Sequence, residues 1–546
     1  MLSTLALSPW LLAIFPLILL AAVPAFAASQ PSPPRRLIYN DDGGALKHIK
    51  GPSLETYFSE RLADLPNTPV TTVFFCPHDD WASAFYDSRI EGVQFSGSGP
   101  LRKLMDSGTD PIQATIDFCR SHNLEIYCSF RMNDIHDSYS GAIGPLKRDH
   151  PDWLLGSKDA NYPPTPKGNR TLKGGTWSSL NYSLPEVRSH IQRSIEEAIT
   201  RWNWDGVEFD YGRNASLFPS VFAGRPATDS ERDTLTDFQR SLRSLIDARS
   251  TGSLLPPSQS RIPQSAIRTP HSSSLPLAVV VPETVALCRY VGIDIERWLD
   301  EKLIDIVIAG NGYVPFSPAA YELIPLARRA GVPIYIRINA NTGGAGRPYW
   351  NHVEAWRAYA GNVFASGADG IYLFNTYDAK LFSDRGPGIF HEIGDPSRVA
   401  FHDRLYLADW NLAEWGYGFG DVAFYAPHDH MLPMSLADAD AFVEFACFED
   451  LKEASRPPRE ILLRLSVRDL SPDASCSFRL NDSPLLVPWK ETRADVSVFE
   501  YLLSPRHLRV GANRISASYE PPTAPASPPA LVSVELWIRP AGSPGR

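Results

Sequence analysis

The chain has 546 residues, 43% hydrophobic and 21% charged, and its 62 acidic against 52 basic side chains give a formal net charge of -10. That length holds two or three domains with cores of their own, and the acidic balance lacks the basic footprint of a nucleic-acid binder. Aromatic residues make up 11%, with 13 tryptophans, and such rings stack well on sugar faces.

The first element is a leader. Residues 1–30 form a long apolar run that closes on Ala25-Phe26-Ala27, the small-x-small pattern before a secretory cleavage site. A signal peptide over residues 1–27 is expected, which puts the mature protein outside the cytoplasm, secreted or periplasmic. No Lys or Arg precedes the run, so an uncleaved anchor is the competing reading. No second stretch is apolar enough to span, so no stable membrane insertion is expected after cleavage. The cysteines Cys76, Cys119, Cys128, Cys288, Cys447 and Cys476 are sparse and show no CxxC pair, against a zinc ribbon or disulfide scaffold. Cys76 and Cys128 fall in apolar runs and read as buried thiols.

From Arg36 strands and helices alternate. Leu37 to Asn40, Thr71 to Cys76, Leu124 to Phe130, Gly206 to Asp210, Leu277 to Glu283, Ile304 to Gly310, Val332 to Asn339 and Asp369 to Asn375 read as strands. Each is followed by a helical stretch, two of them opened by Pro111 and Pro185 in the first turn. Eight such units predict a (β/α)8 barrel over residues 36–400. The surplus length sits in loops: roughly Met132 to Leu184 after strand three, and a Ser/Pro-rich excursion before strand five. After about His430 short strands at regular spacing predict a β-sandwich accessory domain over residues 430–546. No exposed aromatic row marks a ligand face on it, so a packing role is favoured over a carbohydrate-binding module.

Barrel enzymes carry their chemistry at the C-terminal ends of the strands. Here all eight ends are polar, acidic or aromatic while the strand middles are apolar. The candidate ligand-binding residues are Asp42 on strand one, Asp80 and Trp81 after strand two, and Arg131, Asn133, Asp134 and His136 after strand three. Tyr211, Asn311, Arg337, Asn339 and Tyr377 follow at strands four, six, seven and eight. Carboxylates, amides and arginines bind hydroxyl pairs, and rings cover apolar sugar faces. A carbohydrate partner is therefore expected. No cofactor is implied, and His78, Asp79, Asp80, Asp134 and His136 match no named metal-ligand spacing.

The segments HPDWLL (150–155), LNYSLPEVR (180–188) and WDGVEFDYGR (204–213) resemble the glycoside-hydrolase-like family 10, secreted bacterial (β/α)8 barrels. The resemblance covers most of residues 36–397 and implies the fold and the superfamily. It leaves the substrate open, because that family is functionally diverse.

Sugar hydrolysis by two carboxylates needs a proton donor and a nucleophile or base. Asp210 and Glu283 close adjacent strands four and five, and their positions are similar to those in barrels related to the alpha-amylases, with an Asp nucleophile and a Glu acid. Strand seven offers Arg337 and Asn339 but no acid, against the clan with paired glutamates on strands four and seven. A chitinase-like motif also fails, because Gly212 stands where its acid Glu should be. Glu208 points the same way as Asp210 one step deeper, and rivals it or holds Arg131 or Arg337. The leading expectation is a secreted, retaining glycoside hydrolase with Asp210 as nucleophile and Glu283 as acid/base. The alternatives are a non-catalytic glycan-binding barrel and a hydrolase of an amide bond in a cell-wall glycan fragment.

Overall fold

The computed structural model describes residues 36–141, 143–160, 176–250, 274–310, 321–339, 352–409, 430–454, 457–486, 488–520 and 528–542. The expected leader at 1–27 lies outside the described residues, as do 251–273 of the Ser/Pro-rich excursion and Asn311. No described helix is long and apolar enough to cross a membrane.

Eight parallel strands close on themselves: β1 Arg36–Asp41, β2 Val70–Phe75, β3 Glu125–Arg131, β4 Gly206–Asp210, β5 Leu277–Val281, β6 Ile306–Ala309, β7 Ile334–Asn339 and β8 Gly370–Phe374. Each pairs with the next, and β8 returns to β1 with Arg36 opposite Gly370. Every strand read from the sequence is present, with its ends moved by two residues or fewer. The strands are apolar on both faces because both are covered. Inward positions such as Ile38, Phe74, Tyr127, Val280, Ile308 and Tyr372 fill the barrel, while Leu37, Val73, Phe75, Val279 and Val281 meet the helices. Gly206 is dictated by that filling, since a Cβ there would lie 2.3 Å from the Tyr127 ring.

The helices outside the barrel start where the chain supplies caps. Asp110 accepts from the Ile112 and Gln113 amides, and Pro111 opens the turn. The long loop after β3 carries the short helices His136–Ser140 and Pro145–Asp149. The segment after β2 holds a small sheet of His78–Asp80, Ser83–Ala84 and Gln94–Phe95, then a helix Gly99–Asp106, neither assigned from the sequence.

The C-terminal part forms two antiparallel sheets. One orders Arg404–Leu407, Ala530–Pro540, Pro458–Arg468, Val496–Leu502 and Trp489–Arg493; the other orders Phe442–Cys447, Gly511–Glu520, Ser475–Leu480 and Ser483–Pro484. They share one core that includes Phe445, Leu465, Phe478, Ile515 and Leu536, with the Phe478 and Phe499 rings edge to face at 5.3 Å. Arg404–Leu407 is an edge strand of the first sheet, although it precedes residue 430, where the accessory domain was expected to begin. Its pairing partner lies near the far end of the chain, a non-local contact that spacing does not reveal.

The sheets dock on the barrel helix Val353–Ser366. The Asn362 amide donates to the Ala446 carbonyl (3.0 Å) and accepts from the Phe448 amide (2.8 Å). Tyr321 and Phe448 rings meet at 4.3 Å. All six cysteines are free thiols, five of them buried.

Candidate active site

On β4 the alternation of the chain decides which side chains enter the barrel. Val207 and Phe209 pack outward among the helices; Glu208 and Asp210 face inward. Glu208 stands in register between Ser129 and Ala278, and Asp210 between Arg131 and Val280. Glu208 is wholly buried, and among the described residues neither of its oxygens makes a full hydrogen bond; its polar neighbours are the Ser129 and Tyr372 hydroxyls. Burial, and then the charge of Asp210, push its pKa up to about 8 against the opposing pull of Ser129, Tyr372 and Arg337. Glu208 therefore holds a proton at neutral pH.

Arg337 reaches Asp210 from β7. Its Nη1 lies 3.8 Å from Asp210 Oδ1, beyond hydrogen-bond distance, and the guanidinium carbon sits 3.5 Å above the centre of the Phe374 ring. All three side-chain nitrogens are buried with no hydrogen-bond partner among the described residues, and Asp210 Oδ1 is in the same state. Gly212 leaves room for this arginine, since a Cβ there would lie 3.2 Å from Nη1.

Around this floor runs a rim of ion pairs. Arg131 Nη1 lies 3.2 Å from Asp134 and donates to the Asp79 carbonyl at 3.1 Å; its Nη2 lies 3.6 Å from Asp42. Arg61 is 3.9 Å from Asp42 and covers the Tyr377 ring at 3.4 Å. Burial alone would raise the Asp42 and Asp134 carboxyls; Arg131 and Arg61 for the first, and His136, Arg131 and Arg213 for the second, reverse that and hold both low. His136 Nδ1 is 2.7 Å from Asp134, and its Nε2 is 3.1 Å from Arg213. With 55% of its side chain exposed, His136 marks where the mouth meets solvent. Asp41, bonded to the Tyr57 hydroxyl at 2.8 Å, is pushed up to about 6 by burial.

Other expected ligand residues serve the scaffold. Trp81 is buried, stacks on Phe130 at 5.8 Å and donates to the Met132 carbonyl, so it is no platform for a sugar. Tyr211 faces the helix layer, where its hydroxyl donates to Gln239 at 2.8 Å and its ring meets Trp298. Asn133 is spent on backbone, donating to the Ser216 and Leu180 carbonyls and accepting from the Leu180 amide. Asp80 accepts from the Ala82 amide and the Ser83 hydroxyl within its own turn. The three corrections after strand ends share one cause: past the last paired residue, the pleat no longer says which way a side chain turns. For Tyr211 the odd position on β4 carried the answer.

Asn339 closes β7 opposite Phe374 of β8. Glu283 is buried and stands three residues beyond Val280, the register partner of Asp210. Its charge neighbours include Cys288 and Tyr359, both on helices. As for the grouping around His78, its ring pairs with Tyr86 at 2.8 Å and Asp79 pairs with Lys47. No group of three His, Cys, Asp or Glu among the described residues is arranged to hold a metal ion. Sequence reasoning missed Ser129, Tyr372 and Phe374, which inward parity signals, and Arg61 and Arg213, which no local pattern signals.

The closed parallel barrel with inward carboxylates at the C-terminal end of β4 defines the class: a (β/α)8 barrel with an acid-bearing mouth. A family model described as Glycosyl hydrolase-like 10 matches residues 54–222, which run from the first helix through β4 and its following loop, and it is the family the motifs at 150–213 resemble. No curated protein sequence matches the chain. Among solved structures the chain is similar to a noncanonic maltogenic alpha-amylase from Thermotoga neapolitana, with 11% identity, TM-score 0.35 and coverage of 91% of this chain and 98% of that one. It is similar also to the C-terminal domain of a putative chitinase from Desulfitobacterium hafniense, with 11% identity, TM-score 0.37 and coverage of 67% and 99%. A third is a Paenibacillus cycloisomaltooligosaccharide glucanotransferase, with 11% identity and TM-score 0.33, where 93% of this chain spans 58% of the other. The barrel rests on its own strand pairing.

Proposed function

We propose that this chain is an extracytoplasmic glycoside hydrolase acting on a poly- or oligosaccharide, with Asp210 as the nucleophile of a retaining mechanism. The observation that carries this reading is the inward-facing Asp210 at the C-terminal end of β4, with Oδ1 unpaired among the described residues and Arg337 beside it. A carboxylate held by a cation yet not consumed by hydrogen bonds can attack an anomeric carbon. The acid/base is Glu283, from the neighbouring strand end. Glu208 carries a proton at neutral pH but lies two residues below Asp210, about 7 Å down the strand, under the nucleophile and away from a leaving-group oxygen. The rim of Asp42, Arg131, Asp134, His136 and Tyr377 supplies hydroxyl partners.

The test is a panel of glycans assayed for released reducing ends. Asp210→Asn should lower turnover by roughly 10³-fold or more while the protein stays folded. A folded Asp210→Asn protein with wild-type turnover would end this assignment. A glycan-binding barrel without turnover is the second reading. It predicts glycan retention with no product, equal in wild type and Asp210→Asn.

A further inference from the structure

We infer that the sugar bound against Asp210 carries an anionic group, a carboxylate or a sulfate, and that Arg337 is the residue that reads it. This deepens the hydrolase reading and rests on it. The other arginines of the mouth are matched by acids: Arg61 by Asp42, Arg131 by Asp134 and Asp42, and Arg213 by the field of Asp134. Arg337 is different. Its side chain is 2% exposed, its contact with Asp210 stops at 3.8 Å, and Nε, Nη1 and Nη2 all lack acceptors among the described residues.

A buried guanidinium left without acceptors is costly, and a planar fork of donors is the shape that grips a carboxylate or sulfate with two parallel bonds. Stacking on Phe374 fixes the plane of the fork. Nη1 is the nitrogen nearest Asp210, so the Nε and Nη2 edge remains for a ligand. Arg213 lies against the same ring, 5.3 Å from its centre, and adds a second positive charge. The chemistry sharpens the point. When Asp210 attacks the anomeric carbon, its oxygen forms the new bond, the glycosidic bond breaks, and the leaving oxygen takes the proton of the acid. Asp210 is then a neutral ester, and Arg337 loses its one ion-pair contact among the described residues. An anionic substituent on the sugar keeps that buried charge compensated through the whole cycle.

The experiment uses the full chain on a glycan array carrying uronate-bearing, sulfated and neutral oligosaccharides, with binding as the readout. Asp210→Asn should retain charged glycans at least tenfold better than neutral ones, and better than wild type, because a negative competitor for Arg337 has been removed. The uronate and sulfate arms tell which anion it is. Arg337→Met, close in volume and apolar, should bring the charged arm down to the neutral level. Arg337→Lys keeps the charge without the fork and should fall between. Melting curves establish that each variant is folded, and the lysine variant still decides the matter if the methionine variant is not. Equal retention of neutral and charged glycans, retention of neither, or a preference that survives in folded Arg337→Met would each overturn the inference. Turnover is not read, so an active Asp210→Asn enzyme sinks the hydrolase reading alone.

Discussion

Replacing Glu208 by Gln should make the protein more stable in alkali and leave it almost unchanged in acid. Below pH 4.5, the ordinary value for Glu, folded and unfolded chains both carry the proton and Glu208 adds no pH dependence. Between 4.5 and about 8 the unfolded chain has ionised while the folded chain still holds its proton, so stability falls as pH rises. Above about 8 both are ionised and the full cost of a buried carboxylate beside Asp210 is present. The gap corresponds to at most about 5 kcal/mol at roughly 1.4 kcal/mol per pH unit. A barrel of this size with an unfolding entropy of roughly 0.8 kcal/mol/K would show it as about 6 °C. The assay is the melting temperature of wild type and Glu208→Gln from pH 4 to pH 9. The curves should coincide near pH 4 to 5 and diverge toward pH 9, the variant melting higher. Curves that run parallel across the range would refute the reasoning, because the pH-linked proton would then lie elsewhere.

Three further outcomes follow from the packing and the chemistry. Trp81→Ala should cost about 3–5 kcal/mol of stability, measured by denaturant unfolding, with KM unchanged in the folded fraction, because the ring is core and not platform. Asn362→Ala removes two bonds to the Ala446 and Phe448 backbone and should cost about 1–3 kcal/mol, seen as a lower melting temperature with turnover per folded molecule retained. Proton NMR of the first-formed product should show retained anomeric configuration; an inverted first product removes Asp210 from the nucleophile role.

The barrel was legible because each strand is a short apolar run bounded by turn residues, and those local signals agree with the global pairing. The Arg404–Leu407 strand was not, since four residues carry little pattern and their partner is Ala530–Pro540. The small sheet after β2 was hidden for the same reason, its strands being two or three residues long. At the site, parity on β4 revealed Glu208 and Asp210 correctly as inward groups. The same parity applied to β8 leads to Tyr372 and Phe374, which line the floor. Of the rim arginines, Arg61 comes from a helix end and Arg213 from a loop, where no period exists to read, whereas Arg131 closes β3. Trp81 shows the opposite error: aromatic identity suggested a sugar platform, yet a donated bond to Met132 and stacking on Phe130 hold the ring in the core.

The proton-donor role proposed for Glu283 turns on a single proline. On β5, Ala278 and Val280 fill the barrel while Val279 and Val281 meet the helices, so a continued pleat would send Glu283 outward. The last pairing is the Gly310 amide on the Val281 carbonyl, and Pro282 has no amide with which to extend it. From there the following helix sets the direction: Thr284 caps Val285–Val291 by accepting from the Leu287 amide, leaving Glu283 just ahead of the cap. An acid/base must visit both its protonated and its ionised form in one cycle. Glu283→Gln should therefore fail on natural sugars with poor leaving groups yet keep turnover on aryl glycosides whose phenol leaves without a proton. Glu208→Gln should not show that split. Equal loss on both substrate types, or no loss on either, would take the acid/base role from Glu283; a split in Glu208→Gln would hand it to the deeper carboxyl.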